Sequence, residues 1–129
     1  DQEGWISFRY ILRPHTGGYD AVREQQFGRG ICQPLRAVLA DPAKPVPAPL
    51  LTLSEPGVIV TSIRPTRDGR AFLVRLFNTT EETRTVALTW GRPMGAPWIS
   101  NPMEDAVSPA GTPISLIKYE MLTLRVELG

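Results

Sequence analysis

One cysteine, one histidine and two lysines in 129 residues leave most protein chemistry without its raw materials. The lone Cys32 excludes an internal disulfide and cannot assemble a thiolate metal site. Set in Gly30-Ile31-Cys32-Gln33-Pro34, it reads as a small buried hydrophobe. A nucleophilic role would need a histidine beside it, and the chain has only His15, which reads as a side chain packed at a strand end. A glycine-rich phosphate loop, a G-x-S-x-G elbow and a Cys-x-x-Cys pair are all missing. No apolar run approaches the ~20 residues of a membrane-spanning helix. The 14 basic and 13 acidic side chains nearly cancel to a formal charge of +1, which gives no electrostatic case for nucleic acid or an anionic membrane as partner. The adjacent acids Glu81-Glu82 and Glu104-Asp105 fall in or beside turns and read as solvated charge. No catalytic, cofactor-binding or metal-binding residue is assigned. Absence of disulfides suits the cytoplasm and a periplasmic or secreted protein equally. The chain opens at Asp1 with neither Met nor an apolar leader, as a processed chain or an excised piece would.

What the sequence does hold is punctuation. Thirteen prolines and eleven glycines call for many turns and argue against a helical protein. Between the turns lie strand patterns. Val58–Ile63 is apolar and β-branched and stops at Arg64-Pro65. Asp68-Gly69 supplies the positive φ that a hairpin needs, and Phe72–Phe77 runs back. Asn78–Glu82 turns the chain again, and Thr83–Trp90 alternates at its centre, with Val86 and Leu88 on one face. Gly91–Pro97 reads as a turn-rich loop, Trp98–Ser100 as a short strand or edge, and Ser108–Pro113 as a further turn cluster. Ile114–Ile117 and Met121–Leu128 complete the set. In the last strand Leu122, Leu124, Val126 and Leu128 share one parity against Thr123, Arg125 and Glu127. One face buried and one wet is the signature of an antiparallel β-sandwich, here of immunoglobulin-like size. Val60, Leu73, Leu76, Val86, Leu88, Leu122, Leu124 and Val126 are the expected core.

The first part of the chain differs. Trp5–Leu12 is apolar on both parities, so both faces of that strand want cover. Asp20 caps a short helix over Ala21–Phe27, which Gly28 and Gly30 end, and Leu35–Leu39 is a second strand. Four prolines within residues 41–49 then make a semi-rigid extended connector. The division is therefore 1–40, a strand–helix–strand unit from the end of a preceding larger sandwich; 41–49, linker; and 50–129, a C-terminal sandwich.

The ordered set of these segments resembles the C-terminal region of family 38 glycoside hydrolases, the α-mannosidases. The resemblance rests on Phe8-Arg9-Tyr10-Ile11-Leu12-Arg13-Pro14-His15 followed by a short helix and Pro34-Leu35-Arg36-Ala37-Val38. It continues through Val58 to Arg64-Pro65, Asp68-Gly69 and Phe72-Leu73-Val74-Arg75-Leu76-Phe77-Asn78, and ends on Tyr119-Glu120-Met121-Leu122-Thr123-Leu124. It implies an accessory, non-catalytic sandwich. The zinc ligands and the catalytic Asp of that family sit in an N-terminal α/β domain, so zinc is expected there and not in this chain. The implied partner is the remainder of the glycosidase chain. Self-association through the exposed N-terminal strand is a further expectation.

Two other classes stay open. An independent carbohydrate-binding module would use exposed aromatics, for which Trp5, Trp90, Trp98, Tyr10, Tyr19 and Tyr119 are the candidates, with Trp90, Trp98 and Tyr119 foremost as contacts for a sugar or for a domain interface; glycans are then the partner. A structural or interaction sandwich unrelated to glycosidases is the third class. Asn78-Thr79-Thr80 also matches a glycosylation sequon, meaningful only in a secreted eukaryotic protein.

Overall fold

The computed structural model describes residues 4–129, and the first three residues of the expected 1–40 unit lie outside it. The chain from Leu51 onward forms an antiparallel β-sandwich, and residues 4–50 carry one helix and no strand. The helix, α1 (Ala21–Cys32), starts where the sequence places it: the Asp20 carboxylate accepts the Arg23 N–H at 3.1 Å. It runs past Gly28 and Gly30 and closes at Gln33, whose N–H bonds the Arg29 carbonyl. The two glycines weaken the helix without breaking it, because they keep their backbone N–H groups. α1 buries none of its residues. Cys32 ends it in solvent, so the expected burial of that thiol is corrected: no layer covers the helix. His15 is likewise exposed and at no strand end.

Nine strands follow: β1 (Leu51–Leu53), β2 (Val58–Pro65), β3 (Ala71–Asn78), β4 (Arg84–Val86), β5 (Leu88–Trp90), β6 (Met94–Ser100), β7 (Ala106–Pro109), β8 (Ile114–Leu116) and β9 (Met121–Leu128). Five of them make one sheet in the order β2-β3-β9-β6-β7, and two short ladders, β1-β5 and β4-β8, supply the facing layer. The expected single strand over Thr83–Trp90 is thus broken at Ala87. There the ladder changes partner, and Ser54 takes the gap with its N–H on the Ala87 carbonyl and its hydroxyl oxygen on the Ala87 N–H.

Alternation sets the core. In the register Val74 stands opposite Leu124 and Leu76 opposite Leu122, and these side chains meet Val86, Ile114 and Leu116 of the second layer. Val58, Val74, Leu76, Val86, Leu116, Leu124 and Val126 are all 2% exposed or less. Val60, Leu88 and Leu122 are half-buried against this cluster. Leu73 is buried on the other parity of β3, outside the inter-layer core.

β6 is the strand the sequence hides. Gly95-Ala96-Pro97 reads as loop, yet the register slips between Met94 and Pro97. That irregularity admits a proline inside a sheet. The Pro97 carbonyl still accepts the Ala110 N–H at 3.0 Å. The tightest backbone approach is at Gly91, where a Cβ would collide with the Pro49 carbonyl oxygen.

Residues 5–12 and 35–39, expected as strands, are unpaired. Strand geometry needs a neighbour's N–H and C=O groups, and the described chain offers them none. Trp5, Leu35 and Leu39 are as exposed as in an isolated peptide, at 105%, 101% and 106%.

Truncating Leu124 to Ala removes a fully buried side chain at the centre of the five-stranded sheet. We expect a loss of about 2–5 kcal/mol in denaturant unfolding, against less than about 0.5 kcal/mol for Leu39→Ala on the bare arm. Equal effects would contradict this placement of the core.

Candidate functional site

At one end of the sandwich two turns meet over a buried amide. Asn78, the last residue of β3, is fully buried. Its Nδ2 donates to the carbonyls of Glu82 (2.8 Å), Ile117 (2.9 Å) and Leu116 (3.2 Å). Its Oδ1 accepts the Thr80 N–H (3.0 Å) and hydroxyl (2.8 Å). Thr79 donates both its N–H and its hydroxyl to the Gly57 carbonyl. Asn78, Thr79 and Thr80 are therefore the corner of the fold. The sequon reading loses its substrate in the folded chain, because the amide nitrogen is sealed among three carbonyls.

The corner presents Tyr119. The Ile117–Glu120 turn is closed by the Glu120 N–H on the Ile117 carbonyl and by the Glu120 carboxylate on the Ile117 N–H. It holds Tyr119 in the left-handed region, at φ 57°, a strained conformation for an aromatic residue. The Tyr119 N–H reaches back to the Thr80 carbonyl, and its phenol donates to Glu81 Oε1 at 3.2 Å. Partial desolvation and the Glu81 charge raise the phenol's pKa, so it remains a donor at neutral pH. Between this turn and the start of α1 lies an open cleft of about 510 Å³. Tyr19, Asp20, Glu81, Glu82, Arg84 and Tyr119 supply its chemistry.

Trp90 and Trp98 lie elsewhere. Trp90 on β5 packs half-buried against the core. Pro97 and Ile99 of β6 pair with the core residues Val126 and Leu124, so Trp98 between them turns to the outer face, opposite Arg125. Trp90 and Trp98 thus occupy opposite sides of the five-stranded sheet and form no joint platform.

That outer face carries a second constellation, which the sequence reading missed. Glu104 is 5% exposed and sits at φ 76°. Its Oε2 accepts the Arg67 N–H at 2.7 Å. Its Oε1 has no well-aligned hydrogen bond and is balanced by charge instead, with Arg64 Nη1 at 2.8 Å. Arg125 donates to the Glu104 carbonyl and pairs with Asp68 and Glu127, both at 2.8 Å. The expectation of a solvated Glu104 is corrected: Asn101 accepts the Met103 and Asp105 N–H groups and folds the loop back onto the sheet. Leu73 lies between Arg64 and Arg125 in the register, under this lid of ion pairs. The only signal in the sequence was the spread of arginines across β2 and β9, legible only once the register is known.

Every charge in this group has an opposite neighbour. The backbone hydrogen bond from Arg67, then Arg64, hold the Glu104 carboxyl below its ordinary pKa. Bonds from Thr66, the Arg70 N–H and Arg125 do the same for Asp68. Carboxylates so committed do not trade protons near neutrality; they clamp. Among the described residues no three His, Cys, Asp or Glu side chains converge as a metal site. The exposed, isolated His15 and Cys32 do not fit a zinc centre.

With this geometry in hand, the chain was compared with known proteins: no protein-family model, curated protein or solved structure matches it.

Because the folded pKa values of Glu104 and Asp68 are lowered, their stabilisation is complete above the ordinary carboxylate range and is lost as pH falls below about 5. Thermal unfolding should therefore shift to lower temperature on acidification from pH 6 to 3. The Glu104→Gln variant should be less stable at pH 6 and show a shallower acid dependence. An acid slope unchanged by the substitution would contradict the clamp.

Proposed function

We propose that this chain is the non-catalytic C-terminal β-sandwich region of a zinc-dependent α-mannosidase-type glycoside hydrolase, supporting a catalytic domain that hydrolyses terminal α-mannosides. One observation carries the reading. The segments that resemble the family's strands before the last sandwich, Trp5–Leu12 and Leu35–Leu39, are bare. Trp5, Phe8, Tyr10, Leu12, Leu35, Val38 and Leu39 are each 73% exposed or more. An apolar stretch of this length is covered when the protein works. The sandwich needs no such cover, since its own core is closed.

The chemistry agrees with a supporting role. The buried carboxylate is clamped between arginines, and zinc and the hydrolytic residues belong to another part of the enzyme. An independent module would instead fold its first forty residues onto itself.

Expression of the natural reading frame that contains this chain should give zinc-dependent hydrolysis of aryl α-mannosides, abolished by a chelator. This chain alone should give none with or without added zinc. Deleting residues 50–129 from the full frame should lower its thermal stability or its soluble yield. A full-length product inert toward mannosides, or turnover by this chain alone that is lost on His15→Ala, would overturn the assignment.

A further inference from the structure

The cleft beside Tyr119 has a donor and acceptor set that selects among ligand classes. Asp20, Glu81 and Glu82 put three carboxylates around it against one guanidinium, Arg84. A phosphate or another anion would meet net repulsion there. The carboxylates are only partly committed: Asp20 Oδ1 takes the Arg23 N–H, Glu81 Oε1 the Tyr119 phenol and Glu82 Oε2 the Arg84 Nη2. Arg84 spends its Nε on the Thr80 hydroxyl and one terminal nitrogen on Glu82, which leaves N–H groups of Nη1 to donate. Acceptors and donors thus stand side by side. Two aromatic rings, Tyr19 and Tyr119, line the same cleft and are 81% and 54% exposed.

An organic cation would be drawn by the carboxylates and rings but would leave the free Arg84 donors without an acceptor. A neutral polyol ring uses all of them. Its hydroxyls both donate and accept, and its C–H face packs on a tyrosine ring. The ring of Tyr119 is also set in advance. Its backbone is fixed by the closed turn and its phenol by Glu81, so little freedom is lost when a ligand arrives. The volume of about 510 Å³ lies within the range of small-molecule sites.

We propose that this cleft binds a neutral pyranose sugar, with Tyr119 and Tyr19 as stacking surfaces, Glu81 and Glu82 as hydroxyl acceptors and Arg84 as donor. The site is noncovalent and belongs to this chain alone. It stands or falls separately from the parent-enzyme reading, which is judged by mannosidase activity of the full reading frame.

The test is a titration of the ¹⁵N-labelled chain followed by amide shifts. The probes are methyl α-mannopyranoside and methyl β-glucopyranoside, with tetramethylammonium chloride and inorganic phosphate as cation and anion controls. We expect at least one glycoside to shift the amides of Tyr19, residues 80–84 and Tyr119, saturating in the millimolar range. The Tyr119→Asn variant keeps a side chain tolerant of positive φ and should weaken binding about tenfold or more. Tyr19→Ala, at an exposed position ahead of α1, should weaken it also, and Trp98→Ala on the far face should not. If Tyr119→Asn does not fold, Tyr19→Ala and Arg84→Gln carry the test. No shift with either glycoside overturns the proposal. So do stronger shifts with tetramethylammonium or phosphate, and wild-type affinity in the folded tyrosine variants.

Discussion

The side-chain amide of Asn78 is the interaction on which the end of the sandwich depends. It sits at the junction of the two layers: β3 ends on it, and its Nδ2 holds the last carbonyl of β8 and the one after it. A buried amide left without partners costs on the order of 1–3 kcal/mol for each orphaned group. Here both ends of the amide are occupied, so the same burial fixes geometry instead of opposing folding. Two pieces of chain remote in sequence, Asn78–Glu82 and Leu116–Ile117, are brought to one point. The Tyr119 turn and the Glu81–Arg84 segment owe their juxtaposition to this amide, which thereby sets one wall of the cleft; the start of α1 is the other.

Glu104 does for the outer face what Asn78 does for the end. Its burial is tolerable because two arginines and a backbone N–H surround it. A buried charge with one partner removed is strongly unfavourable, so the loop Asn101–Asp105 stays down as long as the carboxyl is ionised. One device is neutral and independent of pH, the other charged and dependent on it. The Asn78 amide should therefore hold through an acidification that releases the Glu104 loop.

Much of this was legible from side-chain alternation. β9 was expected over Met121–Leu128 and is observed there, and the Asp68-Gly69 hairpin between β2 and β3 has Gly69 at φ 69°. Both succeed because a period-2 pattern and a glycine-dependent turn are local signals. What was not legible depends on partners. The break at Ala87 follows from which strand lies alongside, and β6 is a strand because β9 and β7 flank it, against the local preference of Gly95 and Pro97. Trp5–Leu12 shows the converse: a strong strand pattern without a partner remains unpaired. Of the aromatics named from the sequence, Tyr19 and Tyr119 line the cleft, while parity along β6 sends Trp98 outward and packing takes Trp90 inward. Glu81 and Arg84 were invisible as site residues, since their approach to Tyr119 is made through the buried Asn78.

The chain therefore divides into a sandwich with a closed core and an arm that is apolar but uncovered. Stability that varies along a chain is read directly by hydrogen exchange. Measured residue by residue on a dilute monomer, the amides of Ala71–Asn78 and Met121–Leu128 should exchange only through global unfolding. Those of Trp5–Leu12 and Leu35–Leu39 should exchange at nearly the rate of an unstructured peptide. Equal protection in the arm and in β3, without self-association, would show that the chain covers its own arm and would contradict the division.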